Sequence, residues 1–398
     1  MEEKKEWVQN NIDSIIVFVI SATLFWALIN YSETDVQLHI QSIININAGQ
    51  SSYPPHFMFF FLVNLLSFFS NNVSLMFLAA IIIFSSANVV KYVVSKKVIL
   101  DIITDSTYEY KCRVVKIVCF AMLFSFALPD IYNFFILKKM YLGRYPSVVW
   151  HNSTITLLFP FALLLFWKQF KIIHHKNLKT FNRDVFLCCL LVIINISIKP
   201  SFIFVFAPVS MFLIYQGVDL SNFKRSVMLS IPILVAVVLL GVQYIGIYHF
   251  EIGSFYTAKS SVAISKPFEF VRIFIPVWYT PIAIVMSFGL PISAIIAYKN
   301  DILKFKPFLY SLYLTILGVL ISAFIIEEGP RKFAGNFTWQ NIICSYLMLM
   351  TTTAFLLKKF FKERQYSNKM IFLGVVFILH FLSGMLYLVK IHFSGNYY

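Results

Sequence analysis

Charge is scarce in this chain of 398 residues: Asp, Glu, Lys and Arg together make up 13% of it, against ~25% in a soluble globular domain. That shortage excludes an ordinary water-soluble fold. Cysteine is equally sparse. The five cysteines (Cys112, Cys119, Cys188, Cys189 and Cys344) show no C-x-x-C spacing, so neither a zinc ribbon nor a disulfide framework is expected, and they read as packing residues. The start, "MEEKKEW", is charged, and no small-residue cleavage site follows the first apolar run, so no cleaved signal peptide is expected. Low-complexity tracts, a clear internal repeat and a separate soluble domain are all missing. The expectation is a single integral membrane domain over 1–398.

What the chain does have is apolar sequence, 59% by residue type. It comes in blocks of roughly 14 to 22 residues separated by short polar loops. Backbone polar groups inside a bilayer must be satisfied within the protein, which leaves helices or a closed barrel. Barrel strands would alternate apolar with polar, and these blocks do not. The fold class is therefore an all-α polytopic membrane protein. Eleven crossings are expected: Ile15–Asn30, Val73–Val94, Val114–Leu128, Ile155–Trp167, Val185–Ile198, Phe202–Tyr215, Val227–Tyr248, Pro281–Tyr298, Phe308–Ile326, Ile342–Leu357 and Ile371–Val389. The net charge of +15 does not indicate a nucleic-acid partner. With the N-terminus cytoplasmic, about 23 of the 33 lysines and arginines fall on the inner side, as the positive-inside rule requires.

One apolar segment does not fit as a crossing. Pro54–Phe69 has an apolar part of only ~14 residues, which suits a re-entrant or interfacial helix. Counting it as a span would move every later basic cluster outside. Pro54 and Pro55 suit a helix start.

The unusual polar residues then collect on the outer face, in loops 31–56, 129–154, 249–280 and 327–341. The first holds Asp35, His39, Tyr53 and His56; the second holds Arg144, Trp150, His151 and Asn152. Lys259 lies in the third, and Glu327, Glu328, Arg331, Asn336 and Trp339 in the fourth. Ionisable groups at membrane depth are costly and are functional candidates by default. On a helix, Asp35 and His39 at i and i+4 point the same way. That spacing suits a base with its orienting partner or a clamp for a hydroxyl-rich ligand, and also a helix cap or an exposed amphipathic helix on the membrane surface. Lys199, between two apolar runs, suits either a phosphate or a side chain snorkelling to the interface. Arg331 suits a phosphate through its planar fork, or a loop-shaping pair with a glutamate. His380 in the last span reads as a packed, inter-helix residue, and His174–His175 as solvated. The sequons at Asn72, Asn152 and Asn336 read as chance matches.

"TDVQLH" after the first span, followed by "YPPHFMFFFLVNLLS", resembles the first outer loop of the GT-C superfamily of polytopic glycosyltransferases. "WHNST", "KPSF" and "GPRKFAGNFTW" are similar to motifs of bacterial envelope proteins of this type. The resemblance implies a GT-C-like fold in the bacterial inner membrane, with the site facing the periplasm or exterior. It implies an inverting, metal-independent transfer from a polyprenyl-phosphate-linked sugar to a glycan or lipid-linked acceptor, with no cofactor. An acidic residue after the first helix acts in catalysis in that superfamily, and Asp35 stands there, with His39 to orient it or the acceptor. Lys199 and Arg331 would hold the donor phosphate. Tyr53, Trp150 and Trp339 would stack on sugar faces, and His56, His151, Asn152, Glu328 and Asn336 would complete the sugar and acceptor contacts. The chain departs from the superfamily pattern in having no D-x-D pair and no sizeable C-terminal soluble domain, which argues against an oligosaccharyltransferase-like, metal-dependent member. The rival readings are a repeat-unit polymerase of O-antigen or capsule and a lipid-linked sugar flippase or transporter. Membrane lipids are expected neighbours, and a protein partner is left open.

Overall fold

The computed structural model describes residues 2–103, 108–130, 132–174, 180–217, 223–250, 252, 260–363 and 367–396. Lys259 and His175 lie outside the described residues. Among the described residues, eight helices are long and apolar enough to cross a membrane: α1 (Glu2–Tyr31, apolar from Ile12), α4 (Val73–Ile103), α6 (Ser153–His174), α7 (Phe181–Ile198), α9 (Phe223–Tyr248), α12 (Lys306–Phe324), α13 (Gln340–Glu363) and α14 (Asn368–Ser394). The protein is a multi-pass membrane protein.

The other three expected crossings take different forms. Around Pro281–Tyr298 the chain forms α10 (Thr280–Ser287) and α11 (Gly289–Ile302), and the span is bent by 69° at their junction. Phe202–Tyr215 becomes α8 (Ile203–Gln216), shorter than the eight above. The stretch Val114–Leu128 is helical only to Met122, within α5 (Tyr108–Met122). Beyond Met122 the backbone leaves the helix and needs other partners. His380 provides them: the Phe126 N–H donates to the His380 carbonyl at 2.9 Å, and the His380 ring bonds the Phe126 carbonyl through Nδ1. The other ring nitrogen, Nε2, accepts the Leu290 N–H at 3.1 Å. Gly384 permits this close passage, since a Cβ there would sit 1.6 Å from the Phe124 carbonyl oxygen. Non-helical backbone is tolerated in such a protein where it is buried in protein. His380 is thus the packed, inter-element histidine the sequence suggested.

Burial separates the helices into centre and rim. The apolar window of α13 is 94% buried and that of α6 78%, against 28% for α1 and α9. α6 and α13 form the centre, and the others present apolar faces outward.

The Pro54–Phe69 segment contains no helix long enough to cross. Its helix, α3, runs only Met58–Leu66 and starts after the two prolines. Nine residues at 1.5 Å each reach about half of a ~30 Å core. Its flanks meet on one side. Asn47, at the end of α2 (Asp35–Asn47), donates to Asn64 at 3.0 Å and to Asn71 at 3.1 Å, and Asn64 donates to Tyr53 Oη at 2.8 Å. Phe57, Phe61, Leu65, Leu66, Phe68 and Phe69 stay exposed.

Loops expected at one end of the bundle do assemble there. β1 (Ser261–Ile264) pairs antiparallel with β2 (Ile325–Glu328), with Val262 opposite Glu327. This small sheet joins the loop 249–280 to the start of the loop 327–341. The Glu33 N–H donates to the Gly395 carbonyl at 2.7 Å, bringing the ends of α1 and α14 to the same side.

Candidate functional site

The site is built on the N-termini of the two central helices. At α6, Asn152 is the cap: its Oδ1 accepts the Ile155 N–H at 2.9 Å and the Thr154 hydroxyl at 3.0 Å. Helix N-termini leave N–H groups unsatisfied and carry partial positive charge. The carboxylate that answers this is Asp35, whose Oδ1 accepts the Ser153 N–H at 2.9 Å. The Asp35 N–H in turn donates to the His151 carbonyl at 3.2 Å. His39 Nδ1 lies 2.6 Å from Ser153 Oγ. The i, i+4 spacing therefore does bring both side chains to one place, where they meet at Ser153 and not each other. Asp35 is a cap through one oxygen, while Oδ2 takes no protein hydrogen bond among the described residues. Burial lowers the His39 pKa, with Lys199 acting in the same direction and the Asp35 carboxylate opposing.

Lys199 arrives from the junction of α7 and α8. Pro200 disfavours helix at the residue before it, and Lys199 is extended (φ −168°). Its Nζ donates to Thr154 Oγ1 at 3.2 Å and lies 4.9 Å from the centre of the Trp339 ring. Burial pushes its pKa down to about 8; the Arg331 charge adds to this, while Asp35 and Glu327 pull it back up. These four charges therefore share one neighbourhood. Gln243 ties it together by donating to the carbonyls of Pro55 and Ile196, both at 3.1 Å. That places His56 close enough to Lys199, Arg331 and His39 to feel their charges; burial first, then these three, push its pKa down to about 3.

Arg331 is held by Glu327, with Nε 3.6 Å from Oε1. The same buried carboxylate accepts from Tyr248 Oη at 2.5 Å and from Asn336 Nδ2. Glu327, not the exposed Glu328, is the acidic residue of this loop that faces inward. Two further predicted residues serve packing. Trp150 is 3% exposed and sandwiched near Phe126 and Tyr387, away from the cavity described next. Tyr53 is held by Asn64. Asn336 and Asn152 are engaged as described.

A cavity of about 370 Å³ opens beside Asp35. His151, Asn152 and Trp339 line it, together with Tyr141 and Arg144. Trp339 touches both groups: Lys199 lies over its ring, which also stands 24° from the plane of Tyr141 at 6.3 Å and 6.1 Å from the His151 ring. Burial drives the His151 pKa down to about 3, so the ring is neutral near pH 7. Gly335 supports this wall with φ +63°, where a Cβ would meet Phe270, another lining residue, at 2.6 Å.

Sequence reasoning placed Glu327 and Arg144 among the outer-loop candidates without giving either a role, and it missed Tyr248. A signal for Glu327 was available in its i, i+4 spacing to Arg331. No family model matches the sequence, and a search of curated proteins returns no match.

Proposed function

We propose that the chain is a glycosyltransferase that moves a sugar from a polyprenyl-phosphate carrier to a glycan or lipid-linked acceptor at the outer face of a bacterial inner membrane, with its N-terminus cytoplasmic. The observation that carries this reading is the meeting of Asp35, Lys199 and Arg331 at one end of the bundle, next to a cavity. A base and a pair of phosphate-binding cations are what such a transfer needs within reach of one another.

The acceptor hydroxyl gives its proton to Asp35 Oδ2. Its oxygen attacks the anomeric carbon as the bond from that carbon to the phosphate oxygen breaks. The lipid phosphate leaves with the electron pair, and Lys199 and Arg331 offset its growing charge. The Ser153 N–H of α6 holds Asp35 through Oδ1, which fixes the direction of Oδ2. His39, kept neutral by burial, packs against Phe60 (4.9 Å between centroids) and positions the Ser153 hydroxyl beside Asp35.

Deleting the gene is expected to make a lipid-linked sugar precursor accumulate in lipid extracts, or to remove one residue from a surface glycan. Unchanged extracts with an unchanged glycan would end this reading.

A further inference from the structure

Lys199 does not line the cavity, which has a cation of its own in Arg144. Arg144 is 4% exposed. Its two terminal nitrogens donate to backbone carbonyls, Nη1 to Met140 at 3.3 Å and Nη2 to Leu128. Its Nε has no hydrogen-bond partner, and no carboxylate oxygen among the described residues lies within 4.0 Å of the guanidinium. Asp130 is near enough to act on it through space; its Oδ1 is turned to the N–H groups of Tyr132 (3.0 Å) and Asn133 (3.4 Å), and its Oδ2 has no hydrogen-bond partner among the described residues.

Holding two carbonyls explains where this side chain sits but not why it carries charge. A neutral amide would donate to a carbonyl without placing a net charge in a buried wall, which is expensive unless the charge is paired. The rest of the wall is aromatic: Tyr141, Trp339, Phe270 and Phe274. Ring faces carry the negative side of a quadrupole and attract the polarised C–H bonds on a sugar face. The volume falls within the range of small-molecule sites, which combine an apolar lining with a few placed polar groups. Asp35 stands at the same cavity.

We infer that this cavity is the acceptor subsite and takes a sugar ring bearing an anionic group, carboxylate or phosphate, whose charge meets Arg144. The word acceptor rests on the transferase reading; the binding of an anionic sugar does not.

The test uses the full chain in lipid nanodiscs and three probes: methyl β-glucoside, methyl β-glucuronide and glucose 6-phosphate. Titrations followed by saturation-transfer NMR are expected to show at least one anionic probe binding about 10- to 100-fold more tightly than the neutral one, the span of a charge-assisted hydrogen bond. Which of the two anions is preferred separates carboxylate from phosphate. Arg144→Gln should erase the preference, Arg144→Lys should keep part of it, and Lys199→Ala should leave it intact. Equal binding of the three probes would overturn the inference, and so would a preference that survives Arg144→Gln or is lost in Lys199→Ala. Should Arg144→Gln not fold, Ala334→Trp at the cavity rim decides: loss of the preference supports the site, and its survival sinks it. A chain that selects the anion through Arg144 yet transfers no sugar keeps this inference and ends the transferase reading. One that transfers to neutral acceptors without selecting anions does the reverse.

Discussion

The two ends of the bundle treat charge differently. At the basic end, cations and carboxylates pair off. Lys168 meets Asp184 at 2.6 Å, Lys116 meets Asp13 at 2.7 Å, and Lys359 meets both Glu363 at 2.7 Å and Asp301 at 3.1 Å. Asp184 is further closed off by the Thr180 hydroxyl at 2.8 Å. At the other end Glu327 holds Arg331 and Glu269 holds Lys332, but Asp35 and Lys199 lie near each other without forming a bond, Lys199 leans on a hydroxyl and an indole, and Arg144 has only carbonyls. Saturated pairs hold a structure together, whereas open valences are what a ligand can complete. Both ends carry lysines and acids, so composition alone does not distinguish them; partner geometry does.

The comparison breaks most visibly at Asp35. Asp35→Asn keeps the side chain's shape and removes its basicity, and transfer should fall by roughly 10²–10⁴-fold while donor binding and thermal unfolding temperature hold. Near wild-type turnover would move the base elsewhere, with Glu327 the next candidate. A smaller loss is expected at the cations. Lys199→Ala and Arg331→Ala should each weaken binding of a polyprenyl-phosphate sugar by about 10- to 100-fold, whereas Lys359→Ala at the opposite end should change it less than about twofold. If the three substitutions act alike in a donor-binding titration, the ends do not differ as described.

The depressed Lys199 pKa gives a pH test with a definite sign. Lys199 is charged below about pH 8 and loses its proton above it, so donor binding should weaken as the pH rises from 7 to 9. Lys199→Arg should bind across that range, because a guanidinium stays charged. A wild-type profile flat to pH 9 would remove Lys199 from the phosphate site. At the basic end the effect is on stability. Lys168→Met leaves the buried Asp184 carboxylate with its hydroxyl partner and should cost about 1.5–3 kcal/mol in detergent unfolding, with no change in donor affinity per folded molecule. The smallest perturbation sharpens which end faces out. In a cysteine-free background, Gln41→Cys should label with an impermeant reagent in intact cells and Lys304→Cys only after permeabilisation. The reverse pattern would invert the assignment.

Asp35, His39, Lys199, Arg331 and Trp339 were legible because each stands out against apolar sequence, and a polar residue there needs a reason. Their convergence was not, since it depends on Gln243 bridging Pro55 to α7 and on β1 pairing with β2. The choice between Glu327 and Glu328 turned on that pairing, whose strands lie some sixty residues apart. Trp150 misled for the opposite reason: it stands beside His151, yet it turns into the core against Tyr387. The span count was legible where runs were long and uninterrupted. It shifted where the chain leaves the helix after Met122, because only the folded protein supplies His380 as a partner.

The near-complete burial of α6 and α13 bears on how the protein is made. α13 is the least hydropathic of the eight long helices, and it carries Asn341, Ser345 and the run Thr351–Thr353 inside the bundle. Such a helix has little to gain from lipid alone. It is expected to settle only once its neighbours stand ready to receive it, which makes α13 a late arrival in membrane insertion. Because the cavity and Trp339 sit at its start, the proposed chemistry switches on only in chains that have finished assembling, and a half-inserted protein carries Asp35 and Lys199 without a site.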